Sequence, residues 1–547
     1  MAKSISLGCT RRDLLAAFLG LPAAFLGCSS GKKPALPEGR IVGPQVDLGH
    51  RLRDAPPPNI AADRLEQVSV LIVGGGIAGL TAAWRLAQRG LHDFLLLELE
   101  PKPGGTSQKG TSALTAYPWG AHYIPVPMKE NRPFVDLLDE MGILEGRDRD
   151  GEPIVAEQYL CRDPQERVFF RGRWYEGLYL HAGASADDEA QLQRFKNMVG
   201  HWVDWRDGRG ARAFTLPVAD CSRDAEVTAL DRLSMADWLQ QQRFTSPRLR
   251  WLVEYGCRDD YGLKLSETSA WAGLFYAASR VRTPGAEPQE FMTWPEGNGR
   301  VVDYFHGKIG DRVRLGWAAA DINPVVVDGE QFVDVVAVNA HDEARGWRAR
   351  QVIFAGPQFV AARAIRPYRQ SPPEPLAAFE YGAWLVANLF LKGRPYSRGF
   401  PLAWDNVLYE SPSLGYVVAT HQRGLDYGPT VLTYYYPFCD ANPRQARARL
   451  LGLDWESCAD LVLTDLTRAH PDIRSLTERL DVMRWGHAMI RPRPGFVWGS
   501  ARAAARQAYR GIHFAHSDLS GLALFEEAFY HGRRAADDVC RALAPER

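Results

Sequence analysis

The chain has 547 residues, too many for one compact core, so two or more folding units are expected. Hydrophobic residues make up 46% and charged residues 24%, and Lys plus Arg equals Asp plus Glu at 65 each. That balance gives no sign of a polyanion partner and argues against nucleic acid, and the 8 cysteines, with no CxxC or zinc-like spacing, are too few for a disulfide-built scaffold.

The first element is an export address. In MAKSISLGCTRRDLLAAFLGLPAAFLGC, Arg11-Arg12 precede an apolar run from Leu14 to Gly27 that Cys28 closes. As a helix the run rises only about 21 Å, short of a bilayer core of about 30 Å, which suits a signal peptide better than a membrane span. Thr-Arg-Arg-Asp-Leu-Leu resembles the twin-arginine export signal, and Phe25-Leu26-Gly27-Cys28 resembles a lipoprotein cleavage box, with Phe where that family prefers Leu. The resemblance implies a signal peptide over 1–28 and an acylated Cys28 that anchors an exported protein to a membrane in the periplasm or cell envelope. Residues 29–65 are rich in Pro, Gly and charge and read as a flexible tether. No later stretch approaches 18 uninterrupted apolar residues.

The next elements carry the strongest chemical signal. Val68 to Val73 is a short run suited to a buried parallel strand, and Gly74, Gly76 and Gly79 follow it as G-x-G-x-x-G. The first glycine permits a tight turn, the second lets a pyrophosphate approach the backbone, and the third allows close helix–strand packing. A helix from Ile77 to about Gln88 then aims its N-terminal N–H groups at the phosphates, and Gly90 ends it. A second apolar run, Phe94 to Leu97, delivers Glu98, placed to accept both ribose hydroxyls of a dinucleotide.

From Glu98 the sequence Glu-Leu-Glu-Pro-Lys-Pro-Gly104-Gly105 resembles the FAD-containing amine oxidase superfamily, which includes monoamine and polyamine oxidases, protoporphyrinogen oxidase and phytoene desaturases. Further segments carry the resemblance along the chain. Trp119-Gly120-Ala121-His122-Tyr123 is similar to a following FAD contact. WPEGNGRVVDYF from Trp294 and RARQVIFAGP ending at Pro357 are similar to the segments that re-enter the cofactor domain. GIHFAHSDLSGLALFEEA, from Gly511, is similar to the segment that closes on the flavin ribitol. There the resemblance implies Asp518 as a ribitol or phosphate contact and Glu526 beside the cofactor, although Asp518 falls one place late and Glu526-Glu527-Ala528 matches the family's Glu-Gly-Ala in part.

The superfamily layout implies an α/β protein. A discontinuous Rossmann-type FAD-binding domain would be built from 66–128, 294–372 and 500–547, with an α+β substrate domain of mixed sheet and helices from 129–293 and 373–499. Helices are expected over Met235 to Gln242 and Ser246 to Tyr255, and strands over Ala383 to Leu391 and Thr430 to Tyr436. Three clusters dense in polar and aromatic groups, at 255–280, 403–422 and 484–495, supply the pocket candidates Asp259, Asp260, Tyr261, Trp404, Asn406, His421, Trp485 and His487. Each of these residue types is also common in ordinary packing and structural hydrogen bonding.

The reading is an FAD-dependent oxidoreductase, amine oxidase-like, that holds its cofactor non-covalently and takes a hydride from a small organic substrate. No G-x-S-x-G, H-E-x-x-H or G-K-[ST] motif offers a rival chemistry, and no metal site is expected. Two positions depart from the family: its lysine, which holds a water near the flavin, aligns with Val386, with Lys392 nearby, and its aromatic wall aligns with Leu524. Two alternatives therefore stand. One is a dehydrogenase or desaturase of a non-amine substrate that passes electrons to a membrane carrier rather than oxygen; the other is a non-catalytic flavin-binding lipoprotein.

Overall fold

Two sheets organise the chain, each assembled from distant stretches of sequence. The computed structural model describes residues 36–286, 288–440 and 442–544. The twin-arginine segment and Cys28 lie outside the described residues.

The first sheet has the strand order Val313–Leu315, Phe94–Glu98, Glu66–Val73, Ala344–Phe354, Glu330–Val338, Ala318–Val327. Its five strands near the glycine motif, including Ile512–Phe514 beside Ala344–Phe354, run parallel. Such strands are covered on both faces, and Val70, Leu71, Ile72, Leu96 and Ile353 are accordingly inaccessible to solvent. The helices Ile77–Gln88 and Phe525–Leu543 pack together on one face. Gly532 permits that contact, because a Cβ there would lie 2.3 Å from the Ala78 carbonyl oxygen.

The second sheet has eight strands, in the order Ile41–Gly43, Thr477–Ile490, Tyr381–Leu391, Thr430–Pro437, Gly415–Val418, Asp405–Leu408, Glu166–Phe170, Arg173–Glu176. Against it stands a helical layer, Ala186–Asp204, Met235–Gln241, Pro247–Tyr261 and Ala270–Ala278, with its own core around Trp238, Phe244, Trp271 and Phe275. The long strands Tyr381–Leu391 and Thr430–Pro437 are buried almost throughout, because one face meets helices and the other closes over a cavity.

Two expectations are corrected. Residues 37–65 are built into the body rather than serving wholly as tether. Ile41–Gly43 pairs in parallel with Thr477–Ile490 and covers that edge, and Val46–Asp54 forms a helix tied by Arg51 to Asp342 at 2.7 Å. The helix Arg132–Glu140, expected with the substrate domain, puts Phe134, Leu137 and Leu138 into the core beneath the glycine helix instead. Among the described residues the six cysteines are free, and no helix is long and apolar enough to cross a membrane.

Candidate active site

The site begins where the parallel strands end. Gly74 follows Val73 with φ +106°, a conformation that L side chains rarely adopt. The helix then starts at Ile77 so close to the turn that a Cβ on Gly79 would lie 1.8 Å from the Gly74 carbonyl oxygen. Gly76 differs: a Cβ there would meet no atom within 4 Å, so this position opens onto free space at the helix N-terminus. The Gly104 N–H donates to the Gly75 carbonyl at 2.7 Å, which ties the double-glycine turn to the loop. Glu98 completes the group, accepting from the Gly75 N–H at 2.5 Å and the Glu100 N–H at 2.8 Å. Burial pushes its carboxyl up to about 7 despite those two donors. An open glycine, free helix N–H groups and a buried carboxylate fit the phosphates and ribose of FAD.

A second group lies at the same C-terminal end of the parallel strands, just beyond Phe354 and Phe514. Asp518, in the helical turn Ser517–Ser520, is buried and accepts from the Tyr381 hydroxyl at 2.5 Å and the Gln358 N–H at 3.2 Å. His516 Nδ1 stands 2.8 Å from its other oxygen. The Gln358 side-chain amide nitrogen is buried with no partner among the described residues, a donor left for a ligand. Glu526 and Glu527 open the helix Phe525–Leu543 but face different surroundings. Glu527 accepts from the Val218 N–H at 2.8 Å and from Ser520, whereas Glu526 faces a cavity.

That cavity lies between the two sheets and the helical layer. Its lining includes Thr106, Gly120, Trp485, Met489 and Leu524. Trp485 Nε1–H donates to the Trp119 carbonyl at 2.7 Å, and the Tyr435 hydroxyl to the Gly120 carbonyl at 2.8 Å. His122 stacks on Tyr435 with ring centroids 4.7 Å apart, and burial pulls it down to about 4, so it is neutral at physiological pH.

The opposite part of the lining is acidic. Tyr255 and Asp259 are four residues apart on the helix Pro247–Tyr261 and therefore share a face. Tyr255 donates to Asp405 at 2.9 Å, and Tyr123 lies 3.4 Å from both Asp259 and Asp260. Arg280 donates to Asp260 at 2.7 Å. Burial, with the neighbouring Asp260 adding to it, pushes Asp259 up to about 7. Burial likewise lifts Asp405 well above the usual carboxylate range, helped by Glu166, which sits beside it in the parallel ladder and is itself pushed up to about 7. Glu526 is raised to about 7 by burial. Among the described residues Asp259, Asp405, Glu166 and Glu526 have no salt-bridge partner.

The pocket candidates separate. Asp259, Asp260 and Trp485 line the cavity together. Trp404 packs edge-on against Tyr123 just behind the lining. Tyr261 is turned into the helical core and donates to the Ala272 carbonyl at 2.9 Å. Asn406 accepts from buried Arg167 at 2.5 Å, a structural bond. His421 contacts the Arg162 carbonyl at 2.8 Å, and His487 stacks on Phe359 at 3.9 Å; neither lines the cavity. Val386 and Leu524 do line it, whereas Lys392 is exposed. Tyr255, Arg280, Trp384, Asp405 and Tyr435 escaped the sequence reading. For Asp405 a signal existed: on the strand Asp405–Leu408 consecutive side chains take opposite faces, so choosing Asn406 pointed to the wrong one.

Residues 77–540 match the family model described as flavin containing amine oxidoreductase. No curated protein matches the sequence. Among solved structures, a putrescine oxidase bound to putrescine is 16% identical over 87% of this chain and 99% of that one, with a TM-score of 0.60. Cyclohexylamine oxidase from Brevibacterium oxydans IH-35A is 17% identical over 87% and 99%, with a TM-score of 0.59. At these identities the likeness is one of fold.

Proposed function

Because the chain belongs to the flavin containing amine oxidoreductase family and is an FAD-dependent oxidoreductase, we propose that its substrate is a small amine bound as a cation in the acidic cavity. The observation that carries this reading is the charge of the lining. Asp259, Asp260, Asp405 and Glu526 face the cavity against Arg280, the one arginine or lysine in its lining among the described residues. Burial raises Asp259, Asp405 and Glu526 above the usual carboxylate range, so a bound cation would favour their ionised forms and an anionic substrate would oppose them. The aromatic walls of His122, Tyr123, Tyr255 and Tyr435 suit the organic part of such a substrate. The neighbour holding putrescine binds a molecule of this class.

Bound FAD supplies the two-electron acceptor for the substrate carbon. The chain's own residues do the rest. The N–H groups after Gly76 would hold phosphate, Glu98 would take the ribose hydroxyls, and Asp518, oriented by Tyr381, would serve as a ribitol or phosphate contact. The cavity lining orients the amine and keeps bulk water away. Incubation of the purified holoprotein with amines in air should release the matching carbonyl product and peroxide, whereas equal turnover of alcohols or carboxylic acids would reject the reading.

A second reading is favoured by Val386 and Leu524, which line the cavity where the family resemblance implies a lysine and an aromatic wall. It is dehydrogenation of a non-amine substrate with electrons passed to a membrane carrier; flavin that stays reduced when air is admitted would support it. Export and lipid anchoring belong to the same proposal, supported by Arg11-Arg12 and Cys28 in the sequence. Cys28→Ala should release the protein from the membrane fraction.

A further inference from the structure

We propose that Asp259 is the base that accepts a proton from the substrate ammonium before the adjacent carbon is oxidised. The proposal rests on the amine reading above, and its argument starts from an elementary requirement. Removing a hydride from carbon beside nitrogen needs the nitrogen lone pair, but an alkylamine with a pKa of about 10 arrives protonated near neutrality. Some group in the enclosed cavity must therefore take that proton.

The acids of the lining are not equivalent. Asp260 is committed to Arg280 at 2.7 Å, with the two side chains 4% and 7% exposed. Asp405 is engaged by the Tyr255 hydroxyl at 2.9 Å, and burial, with Glu166 beside it in the ladder, favours its protonated form despite that bond. Glu526 stands at the start of the helix Phe525–Leu543, beside the cofactor-binding turns. Asp259 has none of these commitments. Its one hydrogen-bond contact is the Tyr123 hydroxyl, at 3.4 Å and shared with Asp260, and its remaining surface faces the cavity.

Position reinforces the difference. Asp259 occupies the last turn of the helix Pro247–Tyr261, where the negative end of the helix dipole opposes a carboxylate and makes it a better proton acceptor. Burial raises its proton affinity most, neighbouring Asp260 and then Glu166 add to that, and Arg280 and the Tyr123 hydroxyl lower it, with the acid Asp405 and the neutral phenols Tyr276 and Tyr435 nearby. The balance lifts Asp259 well above the usual carboxylate range, toward neutrality. A base matched to the working pH is the arrangement general base catalysis requires.

The step balances without a further reagent. The substrate N–H bond breaks, its electron pair stays on nitrogen, and an O–H bond forms on Asp259. An ammonium–carboxylate pair becomes a neutral amine and a neutral acid, a change that the low-dielectric cavity favours.

The test compares the parent with Asp259→Asn, using FAD content to verify folding. Values of kcat/KM are measured across pH with a strongly basic alkylamine and with a fluorinated amine that is already neutral near pH 7. With the basic amine, Asp259→Asn should fall on the order of 100-fold at neutral pH and recover as the pH approaches the amine's own pKa. With the fluorinated amine, the loss in the variant should be much smaller than with the basic amine and should not change with pH near neutrality. Asp259→Glu should restore part of the parent profile. Equal losses on both amines, or an unchanged profile with the basic one, would overturn the base role. A parent that oxidises neither amine would overturn the amine reading and the base with it. If Asp259→Asn loses FAD, the parent decides: an ionisation near pH 7 seen with the basic amine and missing with the fluorinated one supports the base, and its presence with both overturns it.

Discussion

Arg280 and Asp260 meet at 2.7 Å inside the cavity wall, both more than nine-tenths buried, so one guanidinium compensates one acid of an acidic lining. Removing one partner of a buried pair leaves the other uncompensated, typically at about 3–5 kcal/mol. Arg280→Gln should lose stability on that scale in urea unfolding, and adding Asp260→Asn should restore most of it. If the double variant is no more stable than the single, the pair is not what holds Arg280 in place.

Asp259 should leave a signature in the stability of the FAD-loaded protein without substrate. Its carboxyl ionises near 4 in the unfolded chain and at about 7 in the fold, so the native state keeps a proton that the unfolded state has lost. The parent therefore loses stability, from this group, as pH rises from about 4 to about 7, and nothing more above that. Asparagine does not titrate. Unfolding midpoints of Asp259→Asn relative to the parent should climb across that window and then level off; a flat difference would mean Asp259 ionises in the fold as it does in water.

The glycine loop separates cofactor room from packing room. A side chain on Gly76 points into open space, so Gly76→Val should fold and melt near the parent apo-protein while losing bound FAD. A Cβ on Gly79 would meet the Gly74 carbonyl at 1.8 Å, so Gly79→Ala should lower the melting temperature of the apo-protein itself. Full FAD occupancy in Gly76→Val would place the pyrophosphate elsewhere.

Glu98 bridges the Gly75 and Glu100 N–H groups at one edge of this loop. Glu98→Ala removes those charge-assisted bonds and the ribose contacts, each worth roughly 1.5–3 kcal/mol. FAD should dissociate readily on dilution, with the flavin spectrum of the loaded protein unchanged. Retention equal to the parent would assign the ribose to another acceptor.

The cofactor end was legible in the sequence because its chemistry is local. Strand, glycines, helix, second strand and Glu98 follow one another between Val68 and Glu98, and each has a backbone reason for its place. The cavity was legible only in pieces, because Tyr123, Asp259, Arg280, Asp405 and Tyr435 come from separate strands and helices that meet only on folding. Asp259 and Asp260 stood out as a dense polar cluster, but their division into a free and a paired acid depends on Arg280, twenty residues on. The stretch 37–65 misled for a related reason: Ile41 and Val42 are too short a run to announce a strand until the edge of Thr477–Ile490 is there to receive it.

Anaerobic mixing of the FAD-loaded protein with an alkylamine and, separately, with the alcohol of the same carbon skeleton tests the central claim most directly. The account predicts that the oxidised flavin absorbance bleaches with the amine and persists with the alcohol, since the amine brings a positive charge to the acidic lining and the alcohol brings none. Flavin that bleaches equally with both, or with the alcohol alone, would contradict it.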